Sequence, residues 1–143
     1  MTRVAMTLVM AATLALGGCG PATTSPPTRT VTLGGETWTV YEGTGDGMRG
    51  LSGFGSADGM LFDLGKAVDP AGVAFTMEGV GFPIDIAWFG ADGGGLVSVA
   101  SMTPCDTVPC PLYRADGPYR WAVEAPVGRF AGLGPDARLV VAD

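Results

Sequence analysis

The chain contains no histidine and a single lysine, Lys66. Without imidazole there is no Ser-His-Asp or Cys-His nucleophile system and no His-ligated metal site. Positive charge is scarce as well: eight Lys and Arg stand against fourteen Asp and Glu, for a formal net charge of −6. Nucleic-acid recognition needs a clustered basic footprint, so that class is excluded. Charged residues make up only 15% of the chain while apolar residues make up 47%, a globular rather than a disordered composition. Long helices are disfavoured by 24 glycines and 11 prolines, which favour short strands and tight turns. Chemistry is left to carboxylates, arginines, tyrosines and three cysteines.

The N-terminus reads as an address. Arg3 supplies a basic n-region, and Val4 to Leu16 is an uncharged apolar run. The run falls short of the roughly 20 apolar residues that a spanning helix needs. It ends in Leu16-Gly17-Gly18-Cys19, which resembles the bacterial lipobox, whose cysteine is acylated and becomes the mature N-terminus. An ordinary signal peptide with an incidental cysteine is the alternative. Three cysteines leave one odd thiol in an exported protein. Cys105 and Cys110 form a local pair, and acylation of Cys19 accounts for the third. Each buried CH₂ contributes about 0.8 kcal/mol, so a multiply acylated cysteine (palmitate-type chains) holds a protein on a membrane. Residues 1–18 are therefore the expected lipoprotein signal peptide, and 19–30 a Pro/Ser/Thr-rich extended tether. Residues 31–143 form one β domain, of a length suited to a single core.

Within that domain, Thr30–Tyr41 is a hairpin candidate around Gly34-Gly35. The glycine-broken stretch 42–59 offers one short helical turn through Met48, Leu51 and Phe54, with Asp46 as its cap. Met60–Phe62 is a short buried strand, followed by a polar loop from Lys66, and Val73–Met77 is the next strand. Ile84–Phe89 carries large apolar groups on both faces, the pattern of a central strand. Its return strand is Leu96–Met102, across an Asp-Gly-rich hairpin loop. Cys105 and Cys110 are expected to close the proline-stiffened loop 103–118 as a disulfide, with free thiols or a metal pair as alternatives. Tyr119–Glu124 and Leu139–Val141 complete the strands, and 127–134 offers a second helical turn. Short strands at this spacing predict an all-β, mainly antiparallel sandwich or barrel of jelly-roll type with one or two helical turns.

Several segments also resemble the domain of unknown function 192 family, over about residues 48–141. They are Arg49-Gly50-Leu51, Gly59-Met60-Leu61-Phe62, Phe75 with Met77, and Pro83-Ile84-Asp85-Ile86-Ala87. Pro104, Tyr119, Val123-Glu124 and Gly128 follow in order. The resemblance implies a compact jelly-roll-type β fold and no established activity. One corner departs from it. The family carries Phe-Trp-Met, a polar residue, Asn and Thr where this chain has Phe75-Thr76-Met77-Glu78-Gly79-Val80.

Three residues stand out as candidate ligand-binding groups. Asp85 and Glu124 are carboxylates set among apolar residues, a costly arrangement unless paired. Arg49 sits on a glycine-flanked turn, where a guanidinium can hold an anion. For each, a structural ion pair or a backbone-held carboxylate is the competing reading. Together Asp85 and Glu124 are the catalytic pair of an alternative, carboxylate-based glycoside hydrolase. Trp38, Trp88 and Trp121 are candidate sugar platforms on an open face, or core. The sequence calls for no metal and no cofactor. The expected protein is an extracytoplasmic, lipid-anchored binding or interaction module of the cell envelope rather than an enzyme. Its expected partners are the membrane and a glycan, a peptide or another envelope protein; a structural envelope lipoprotein is a further alternative.

Overall fold

The computed structural model describes residues 24–143. The expected signal peptide and Cys19 lie outside the described residues. Among the described residues the fold is all-β. The strands are β1 (Thr28–Leu33), β2 (Glu36–Glu42), β3 (Gly59–Val68), β4 (Phe75–Thr76) and β5 (Ile84–Phe89). They continue with β6 (Leu96–Met102), β7 (Leu112–Tyr113), β8 (Tyr119–Ala125) and β9 (Leu139–Val141). Seven strands form one sheet in the order β6-β5-β8-β3-β2-β1-β9, and β4 pairs with β7 in a small second sheet. Pairing is antiparallel except between β2 and β3, which run parallel.

Residue alternation explains which elements form. β1 and β2 turn at Gly34-Gly35 and place Val31, Leu33, Trp38 and Val40 on one face. β1 starts at Thr28, inside the expected tether, because Thr28 pairs with Tyr41. β5 is buried along its whole length, as a strand with apolar groups on both faces must be. Its two faces feed two cores. Ile84, Ile86 and Trp88 join Met48, Met60, Met77 and Tyr119 on one side of the sheet. Ala87 and Phe89 join Trp38, Val40, Val123 and Phe130 on the other.

Three expectations change. Stretches 44–57 and 126–137 hold isolated turns closed by bonds such as Arg49 N to Asp46 O and Leu133 N to Phe130 O, not helix. Glycines 47, 50, 53 and 55 take positive φ, which breaks any helical run. The sheet also curls without closing into a barrel. The β5–β6 hairpin loop meets β9 through a Gly95–Arg138 bridge, with Leu96 N bonded to Ala137 O and Leu139 N to Gly94 O. β3 is longer than expected and runs through the polar stretch around Lys66. The small β4–β7 sheet covers the face that carries Trp88, since Phe75 packs edge-on against Trp88 at 6.2 Å.

Candidate functional site

Residues 43–58 connect the parallel strands β2 and β3. Parallel neighbours require a crossover, and this one passes over one face of the sheet. Between residues 43–49, the first half of β3, segment 73–76 and the corner at Glu78 and Val80 lies a cavity of about 410 Å³. That is the size of a small-ligand pocket.

The walls are held by specific contacts. Arg114 Nη1 donates to the carbonyls of Pro70 and Ala71 at 2.6 and 2.9 Å, fixing the approach to Val73. The buried Tyr119 hydroxyl donates to Val73 O at 3.4 Å. Burial raises the pKa of that hydroxyl, which keeps it a donor. Phe62 and Phe75 meet edge-to-face at 5.2 Å and give the cavity an aromatic wall. β7 pairs with β4, and the Cys105–Cys110 disulfide closes the loop that leads into β7.

Glu124 reaches the cavity from β8. Its residue is only 5% exposed, and its Oε2 is buried without a hydrogen-bond partner. Desolvation pushes its carboxyl up to about 7. Arg49 sits at the mouth, where its Nε donates to Glu78 O at 3.2 Å and its Nη1 lies 4.0 Å from Asp46 Oδ1. Gly79 is required there, because a Cβ would lie 2.8 Å from Arg49 Cγ. Thr76 at the end of β4, and Glu78 and Val80 from the corner after it, belong to the cavity lining.

Of the three candidate ligand-binding residues, Arg49 and Glu124 share this cavity and Asp85 does not. Glu124 lies directly opposite Ile86 in the β5–β8 ladder, so it takes the face of Ile86 and Met60. Asp85 takes the other face with Ala87. There it is satisfied: Ser101 Oγ donates to Oδ1 and Gly128 N to Oδ2, each at 2.7 Å. The two carboxylates of the hydrolase alternative thus project from opposite sides of one sheet and cannot flank one glycosidic bond.

The tryptophans do not form an open platform. Trp38 and Trp88 are each 1% exposed. Trp38 stacks on Phe130 at 5.7 Å and carries the Arg129 guanidinium 4.1 Å above its ring. Trp121 is partly buried, with Arg120 over it at 4.4 Å.

Sequence reasoning misses Asp63 and reads Glu78 as a solvated group; both line the cavity, Glu78 as an exposed residue. Asp63 accepts two bonds from Arg120, at 3.0 and 3.2 Å, and these hold its carboxyl below the ordinary aspartate range. The i, i+2 alternation from Leu61 marks Asp63 as facing opposite to Phe62, which left no local signal for its place at the rim. Among the described residues no group of three His, Cys, Asp or Glu side chains is placed to hold a metal ion.

Comparison with known proteins agrees with this architecture. The family DUF192, described as an uncharacterized ACR, matches residues 39–141. The chain belongs to that family. The match includes every element that builds the cavity. A crystal structure of a Sinorhizobium meliloti 1021 protein, provisionally described as a transcription regulator, is similar in fold. Its TM-score is 0.65 at 22% identity, covering 81% of this chain and 95% of the other. A protein of unknown function from Novosphingobium aromaticivorans DSM 12444 matches with a TM-score of 0.67 at 20% identity. That match covers 85% of this chain and 90% of the other. No curated protein matches the chain.

Proposed function

We propose that this DUF192 member is a small-ligand-binding module of the cell envelope, tethered to a membrane through acylated Cys19. The observation that carries the binding half is Glu124. A carboxylate oxygen that is sealed from solvent, lacks a partner and belongs to a cavity-lining residue is costly to keep for structure alone. A ligand donor that meets the Glu124 carboxyl from the cavity side offsets that cost. The anchoring half rests on the lipobox-like Leu16-Gly17-Gly18-Cys19 and the Pro/Ser/Thr-rich stretch after it. Transcription regulation, the description given to the Sinorhizobium neighbour, has no electrostatic footing in a chain of net charge −6.

A thermal-shift screen of the full chain against small amines, sugars and short peptides tests the reading. Ala74, at the half-buried wall of the cavity, is replaced in parallel by Trp to fill the space. Ligands that stabilise the parent should lose their effect on a folded Ala74→Trp variant. Ligands that stabilise both proteins equally bind elsewhere, and the cavity reading fails.

A further inference from the structure

The charges around the cavity narrow the class of ligand. Four acidic residues line it, Asp46, Asp63, Glu78 and Glu124, against one basic residue, Arg49. Arg49 stands at the exposed mouth, its Nε on the Glu78 carbonyl and its Nη1 4.0 Å from Asp46, so the single cation is at the entrance and away from the buried Glu124. Asp63 is neutralised from outside by Arg120. Among the described residues no ion pair reaches Glu78 or Glu124, which leaves two uncompensated carboxylates, one at the rim and one at the base. Around them the walls are apolar: Phe62, Leu64, Val73, Phe75 and Val80. Aromatic faces favour a cation over an anion and an apolar body over a hydrated one. A metal ion would need several converging donors, and the base presents one carboxylate.

We propose that the cavity binds a small organic cation, with a primary ammonium group on Glu124 and an apolar body against Phe62 and Phe75. This rests on the reading of the cavity as a binding site and specifies what fills it. The buried carboxylate is the recognition element because it pays a desolvation cost that only a donor ligand removes. An ammonium supplies both the donors and the opposite charge. A hydroxyl supplies a donor alone, so neutral ligands gain less.

Binding is then linked to protonation. The other charged residues along the cavity are Asp46 and Arg49 from the β2–β3 connection, Glu78 from the corner after β4, and Asp63 at the β3 rim, whose side chain takes the opposite face of its strand from Phe62. Glu124 itself changes charge near 7, raised by its burial. An ammonium ligand prefers the ionised carboxylate, so its affinity falls by up to tenfold per pH unit below that point.

The test is calorimetric titration of the full chain with benzylamine, benzyl alcohol and N-acetylglucosamine at about pH 8 and about pH 5, values on either side of the Glu124 transition. The expected result is binding of benzylamine that weakens at least tenfold at the lower pH. Benzyl alcohol should bind more weakly than the amine at the higher pH and change little between the two. In Glu124→Gln, benzylamine should lose at least tenfold in affinity and its pH dependence. The pH profile of the parent decides the matter even if that variant folds poorly. Benzyl alcohol or N-acetylglucosamine binding as tightly as the amine at the higher pH, or an amine affinity indifferent to pH, overturns the cation assignment but leaves a binding cavity. Failure of every probe here, together with a blank thermal-shift screen, overturns both.

Discussion

Glu124 and Asp85 are both buried carboxylates on neighbouring strands, yet their energetics differ in sign. Asp85 has two donors and holds the segment after β8 to β6. Asp85→Ala would strand Gly128 N and Ser101 Oγ, and it should cost about 2–4 kcal/mol in a denaturant titration. Asp85→Asn keeps one acceptor and should cost less. Glu124 destabilises the fold when ionised. Its folded value is about 7 against an ordinary 4.5, so between those values the folded chain holds a proton that the unfolded chain releases. Stability is complete below about pH 4.5 and is lost as pH rises through 7, by about 3 kcal/mol. Tm should therefore fall from pH 5 to pH 8 in the parent. Glu124→Gln should remove most of that slope and raise Tm at pH 8. A parent slope that survives in the variant would place the titration elsewhere. The sequence marks both carboxylates as anomalous, because each stands in an apolar strand. It cannot say that they part company. Alternation fixes each residue's face within its own strand, but the register Ile86 to Glu124 fixes whether two strands present those residues to the same side.

At the level of elements, strands with full-length alternation were legible. Ile84–Phe89 and Leu96–Met102 have the predicted limits because apolar residues and glycine punctuation agree there, and Leu139–Val141 has them as a short apolar run between charged residues. Three features were not legible. The parallel β2–β3 pairing depends on where a glycine-rich crossover deposits the chain, which no local pattern encodes. β7 is two residues long and exists only because β4 pairs with it. The cavity arises between these illegible pieces, so the sequence yielded Arg49 and Glu124 but not the space they share. The clasp between the β5–β6 loop and β9 is another tertiary outcome. Gly94 has a φ of +64°, and a Cβ there would collide with the Leu139 carbonyl. Gly94→Ala should destabilise by about 1–3 kcal/mol in chemical denaturation, from backbone strain and loss of the clasp. Gly45→Ala, with open space around it, should change stability by under about 0.5 kcal/mol.

For the whole molecule, composition excluded more than it identified. The absence of histidine, the scarcity of lysine and the abundance of glycine led to an all-β fold and away from whole classes of chemistry. The proposed anchor makes a separate prediction. Cys19→Ser should move the protein from membrane to soluble fractions and remove the mass of the acyl chains. Unchanged fractionation with an unshifted mass would end that proposal. The place where the N-terminal stretch enters the domain has a mechanical meaning. β1 lies between β2 and β9, paired to both, and Arg29 Nη2 further donates to Ala142 O at 2.6 Å. A pull transmitted into β1 along its axis therefore loads two hydrogen-bond ladders in shear at the same time, instead of peeling one edge strand bond by bond. A domain held to a moving membrane by its first strand would resist tension at the point where tension arrives.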